Sequence, residues 1–216
     1  MLKLSLDPAK PQLRLLCIGA HSDDIEIGCG GTIMEWLAGN ANVEVTWVVL
    51  GASGLRETEA RSSASQLLSK AKRADLVLRD FRDGYFPAQF DQAKNLFEEL
   101  KARGNPDVIL THRLEDRHQD HRLVAELTWQ TFRDHLILEY EIPKYEGDFG
   151  HPNLYVPVST NTGERKVEHL LSHFGSQRAR DWFRPDVFFG LMQLRGIESR
   201  ASSGLAEAFH ARKLCL

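Results

Sequence analysis

Two short stretches hold the side chains able to do chemistry. The first is Ala20-His21-Ser22-Asp23-Asp24-Ile25-Glu26-Ile27-Gly28-Cys29-Gly30-Gly31-Thr32, which places an imidazole and two adjacent carboxylates within four residues. The second is Thr111-His112-Arg113-Leu114-Glu115-Asp116-Arg117-His118-Gln119-Asp120-His121-Arg122. Each follows an apolar run that reads as a buried parallel strand (residues 13–18 and 108–110), and each leads into a helical pattern. Ligands bind beyond the carboxyl ends of the strands in open α/β sheets. Aspartate and serine also cap helices, but a cap needs one such residue, not clusters in two turns. The pattern points to one shared metal site built from two distant loops.

Together these stretches resemble the two signatures of the zinc-dependent deacetylases of the PIG-L/LmbE-like family, roughly A-H-P-D-D…G-x-G-G and H-x-D-H. Zinc takes imidazole nitrogen and carboxylate oxygen, and catalytic sites keep three protein ligands with one position open. His21, Asp24 and His121 form such a set, and they match the family's metal ligands. Asp23 is then placed to act as general base. His118, three residues before His121, can stabilise an oxyanion or protonate a leaving amine. Asp120 reads as an acceptor that orients a histidine. The resemblance assigns the same roles: Asp23 as base, His118 as electrophilic histidine, Asp120 as its partner.

Two softer positions follow from the same resemblance. Leu55-Arg56-Glu57-Thr58-Glu59-Ala60 is similar to the family's R-x-x-E-A, so Arg56 would contact substrate hydroxyls or a phosphate through its planar fork. A helix-surface arginine is the alternative. Leu205-Ala206-Glu207-Ala208-Phe209 is similar to Y-A-E-A-F, which would put Glu207 in the pocket lining. The chain departs from the family at Ser22, where a proline is usual, and at Leu205, where a tyrosine is. His112 reads as a rim residue or a structural histidine, with the latter favoured. Cys29 carries a second reading as a thiol nucleophile or ligand, against which stands its lack of an activating base.

The elements that must position these residues alternate. Strands are expected at 13–19, 43–50, 75–78, 108–111 and 136–142. Helices are expected after the first motif, closed by Gly39-Asn40, and at 56–72, 89–103 and from the second motif onward. Helix 89–103 would bury Phe90, Ala93, Phe97 and Leu100. This implies a Rossmann-like three-layer α/β/α fold with a mostly parallel sheet. A single LmbE-like domain is expected over 1–216, with a core at about 12–142 and a loop-rich C-terminal lobe at about 143–216. Within that lobe, 145–157 reads as a covering loop, 164–174 and 186–197 as helices, and 205–213 as a closing strand. Residues 143–165 are expected to set specificity.

A net charge of −3 over 216 residues argues against binding driven by a nucleic-acid backbone. No apolar run approaches the ~20 residues that span a bilayer. Residues 1–11 read as a polar surface lead-in, not a signal peptide. Three cysteines, Cys17, Cys29 and Cys215, make no C-x-x-C pair, which fits a reducing cytoplasm. The expectation is a cytoplasmic hydrolase using Zn²⁺ or Fe²⁺ that removes an N-acetyl group from an amino sugar or its conjugate. Its partner is a small molecule, with homo-oligomerisation left open. An amidase for a thiol conjugate or other small amide is the alternative, as is a non-catalytic metal- or nucleotide-binding α/β protein.

Overall fold

The computed structural model describes residues 12–214, so the 1–11 lead-in and Cys215 lie outside the described residues. Seven strands form one sheet in the order β3-β2-β1-β4-β5-β7-β6. β1 (Leu13–His21), β2 (Val43–Gly51), β3 (Arg73–Leu78), β4 (Val108–Thr111) and β5 (Leu136–Tyr140) run parallel. Their crossovers are α1 (Asp24–Gly39), α2 (Leu55–Leu67), α3 (Phe90–Ala102) and α4 (Gln119–Thr131). The strand order reverses between β1 and β4, which are hydrogen-bonded neighbours. That crevice is where open α/β sheets bind ligands, and both chemical stretches start there.

One apolar layer joins the sheet to α1 and α2 and to the later helices α5 (Thr160–His173) and α6 (Pro185–Ser199). On the other face, α3 and α4 bury Ala93, Leu96, Phe97, Leu100, Val124 and Leu127. Phe90, expected in that core, is 44% exposed. It opens α3 directly after a short 3-10 turn, Phe86–Gln89, and Phe86 fills the core instead.

The C-terminal third is more regular than its loop-rich reading. Within 145–157 lies β6 (Leu154–Pro157), and β7 (Ala206–Ala211) inserts between β5 and β6, antiparallel to both. It therefore extends the one sheet. Helix α1 also starts earlier than a turn reading allows, at Asp24, so the glycines of the first motif lie inside a helix. Packing explains them. A Cβ on Gly28 would lie 2.2 Å from the Tyr140 ring, whose hydroxyl donates to the Ile18 carbonyl at 2.7 Å.

Candidate metal centre

His21 ends β1 and Asp24 begins α1, so a two-residue turn separates an imidazole from a carboxylate. The backbone N–H of His21 donates to Asp24 Oδ2 at 2.6 Å, which fixes the turn locally. His121 sits in the first turn of α4, 100 residues away. The fold brings all three together. His21 Nδ1 is 3.1 Å from His121 Nε2 and 3.4 Å from Asp24 Oδ2, and His121 Nε2 is 3.5 Å from Asp24 Oδ1. Donors bound tetrahedrally at about 2.0–2.1 Å lie about 3.3 Å apart, so the His21–His121 spacing suits one cation, with Asp24 offering a different oxygen to each ring. Two ring nitrogens facing each other at such a distance require a positive centre between them, a proton or a metal. The three side chains are 3–6% exposed. The site thus fits a metal ion by its donor chemistry and spacing.

The second nitrogen of each imidazole is also held. His21 Nε2 lies 3.3 Å from Asp120 Oδ2. Asp120 is fixed by the backbone N–H groups of Gly84 (2.6 Å) and Phe86 (3.0 Å). Its own N–H donates to His118 Nδ1 at 3.3 Å. So Asp120 orients His21 with its carboxylate and His118 with its backbone. His121 Nδ1 is 3.0 Å from Asp116 Oδ2, a partner sequence reasoning missed. Carboxylates behind ligating histidines fix the tautomer and raise donor strength.

Asp23 stands at the N-cap of α1, yet its side chain makes no cap hydrogen bond. Its Oδ2 is buried without a partner, and Arg56 Nη2 stands 3.9 Å from Oδ1. Burial and then the Asp24 charge push Asp23 above the usual carboxylate range, with Arg56 opposing. Burial also works against a charged Asp24, but His121, His112 and His21 hold it well below that range. The two adjacent carboxylates are therefore driven apart, which is how acid–base roles separate.

Burial and then the His112 charge lower His121 to about 4, so its ring is neutral. Burial opposes a charged His21, but hydrogen bonds to Asp120, Asp24 and Asp83 hold it well above its usual range. His118 is held below its usual range, by burial and then by His21. Since His118 Nδ1 accepts a bond, the neutral ring carries its proton on Nε2. Among the described residues, three groups have donor atoms within 4.8 Å of one another: His21/His118/His121, His21/Asp83/His118/Asp120 and Asp24/His112/His121, so His21, Asp24 and His121 are spread over groups that also include His118 and His112.

Arg56 joins the site, with Nη1 2.8 Å from Asp83 Oδ2. Asp83, in the loop before the Phe86–Gln89 turn, also places Oδ1 3.1 Å from His21 Nε2. His112 is fully buried and stacks on His121 with ring centroids 3.9 Å apart. Its Nε2 accepts the Ala20 N–H at 2.9 Å and lies 3.1 Å from Asp24 Oδ2, so it braces the ligand turn from behind.

Glu207 is not brought to the cluster. Its two oxygens accept from the N–H groups of Gly31 (2.9 Å) and Thr32 (2.7 Å), and Lys166 Nζ lies 2.6 Å from Oε1. Gly31 is seven residues past Asp24, about 10 Å along the helix. Glu207 is an internal strut in α1, because an inward carboxylate on β7 meets N–H groups there. Cys29 is fully buried, its thiol donates to the Ile25 carbonyl, and burial raises it well above its usual range, which removes the nucleophile reading.

A buried His/Asp cluster that could hold a metal ion lies at the switch point of a parallel sheet, with two carboxylates of separated character beside it. The profile of the PIG-L family, described as GlcNAc-PI de-N-acetylase, matches residues 16–132, and the chain belongs to this family of deacetylases. The uncharacterized deacetylase YaiS of Escherichia coli (strain K12) is 28% identical over 179 residues, 78% of this chain and 94% of that protein. N,N'-diacetylchitobiose deacetylase from Pyrococcus horikoshii superposes with a TM-score of 0.71 at 21% identity, covering 95% of this chain and 85% of its own. GalB, the 4-carboxy-2-hydroxymuconate hydratase of Pseudomonas putida KT2440, gives a TM-score of 0.69 at 14% identity, covering 95% and 98%. One fold thus carries a deacetylase and a hydratase, and the reaction must be argued from the site. Among the described residues no helix is long and apolar enough to cross a membrane.

Proposed function

We propose that this chain hydrolyses an N-acetyl group from an amino sugar or amino-sugar conjugate, with His21, Asp24 and His121 holding Zn²⁺ or Fe²⁺. Bound there, the cation supplies a Lewis acid and lowers the pKa of water. Asp23 takes the proton from the attacking water as its oxygen bonds to the amide carbon. His118 Nε2–H donates to the oxyanion that develops at the carbonyl. The C–N bond then breaks, the amine leaves with a proton delivered from this pair, and acetate is the second product. Asp120 keeps His118 and His21 in register. Arg56 and Asp83, paired at 2.8 Å at the edge of the site, present a donor fork and an acceptor to substrate hydroxyls.

The observation that carries this reading is the orphaned Asp23 Oδ2 beside three mutually close metal donors. A non-catalytic metal holder has no use for a buried, unpaired carboxylate, which costs stability. The amino-sugar class is supported by the family and by the chitobiose substrate in the name of the Pyrococcus relative. The test is amine release from a panel of N-acetylated amino sugars, with and without chelator. Chelator-sensitive release from at least one sugar is expected. Release only from non-sugar amides would move the substrate class, and metal binding with no cleavage of any amide would overturn the hydrolase reading.

A further inference from the structure

The segment after β5 brings a buried charge to the second motif. Lys144 turns inward, and its ammonium lies 2.6 Å from Asp148 Oδ1 and 3.1 Å from Asp116 Oδ2. The three side chains are 5–10% exposed. Asp116 Oδ2 is the same oxygen that stands 3.0 Å from His121 Nδ1. Asp116 Oδ1 accepts the His118 N–H at 2.8 Å, so the carboxylate is held independently of Lys144. Asp148 Oδ2 accepts the Arg117 N–H at 2.7 Å, and its carbonyl accepts from Arg113 Nη1 at 2.7 Å, which ties the segment to the 112–118 loop. Among the described residues, no other lysine or arginine is ion-paired with the Asp116 carboxylate.

A carboxylate bonded only to a ligating histidine strengthens that histidine as a donor. An ammonium sharing the same oxygen withdraws part of that strength. It would also add repulsion to a divalent cation held on the far side of His121, and burial keeps solvent from screening that repulsion. Both effects weaken the hold on the metal and leave the metal a stronger Lewis acid. We propose that Lys144 is a positioning residue that tempers His121 through Asp116, trading metal affinity for turnover. The inference rests on His121 being a ligand.

Competition with a chromophoric chelator, using Zn²⁺ as the probe, tests it on the full chain. Lys144→Met and Lys144→Gln should bind Zn²⁺ about tenfold more tightly than the wild type, the scale on which partners behind metal ligands act. Lys144→Arg should stay within about twofold of the wild type, since it keeps the charge. Where turnover is measurable, kcat should fall in the Met and Gln variants as affinity rises. A merely structural lysine would lower both, so weaker or unchanged Zn²⁺ binding in both neutral variants overturns the proposal. His121→Ala separates the two levels. If it keeps wild-type Zn²⁺ affinity, the metal-centre reading fails; if it loses Zn²⁺ while the Lys144 variants bind like the wild type, only the role of Lys144 fails.

Discussion

The two loops that build the centre leave neighbouring parallel strands and donate to one site, yet they are held in different ways. The β1–α1 turn is short and carries one of its own bonds, with His112 and Asp120 behind it. His21 closes the strand, Asp24 opens the helix, and the His21 N–H donates to the Asp24 carboxylate at 2.6 Å. The β4–α4 loop runs through residues 112–118 and borrows its shape from charged side chains. Asp116 takes the His118 N–H and the His121 ring, and Lys144 and Asp148 reach in from beyond β5. The first loop therefore presents two side chains linked by a local bond and steadied by an imidazole and a carboxylate from elsewhere. The second presents a ligand whose orientation depends on buried charges far along the chain.

That contrast can be broken at several points, the largest effect first. His121→Ala should abolish tight metal binding and turnover together, measured as metal content after dialysis and as amine release. Asp23→Asn should keep the metal and lower kcat by about 10²–10⁴-fold, the usual worth of a positioned general base. Asp116→Asn should weaken metal binding by about 10–100-fold, measured by chelator competition. It should leave the short turn intact, because nothing in the His21–Asp24 bond depends on Asp116.

Gly28→Ala sharpens the comparison from the other side. Its Cβ would collide with Tyr140, which lies 3.2 Å from His112 Nε2, the brace behind Asp24. Thermal or denaturant unfolding should show a loss of about 1–3 kcal/mol. The smallest effect lies away from both loops. Burial, then the charge of His173, lowers His169 to about 4 from an ordinary value of 6.5. As pH falls from about 6.5 to about 4, the unfolded chain takes up a proton that the folded chain refuses, so stability drops across that window. His169→Gln should reduce the acid-induced loss of stability by an amount on the order of 1 kcal/mol, read as a smaller fall in Tm.

Legibility followed the same division. Strands at 43–50 and 108–111 and the short step from His21 to Asp24 were readable because local periodicity and spacing determine them. Asp116 was not, since its role arises only when a loop folds back so that one carboxylate meets a ring five residues on. Asp83 and Lys144 were hidden for a related reason: their partners lie 62 and 28 residues away, at His21 and Asp116. Glu207 was read only from the resemblance of residues 205–209 to Y-A-E-A-F, which says nothing of its bonds to the N–H groups of Gly31 and Thr32 on α1. β6 was missed because four residues with a proline at one end carry too little pattern to stand out from a loop.

The central claim is that one buried cluster both holds a cation and works a base beside it. Zn²⁺ stoichiometry measured alongside amine release, on the wild type and on Asp23→Asn, tests this most directly. One equivalent of metal in both proteins, with turnover only in the wild type, is the predicted result. Full turnover in Asp23→Asn, or no bound metal in the wild type, would contradict it.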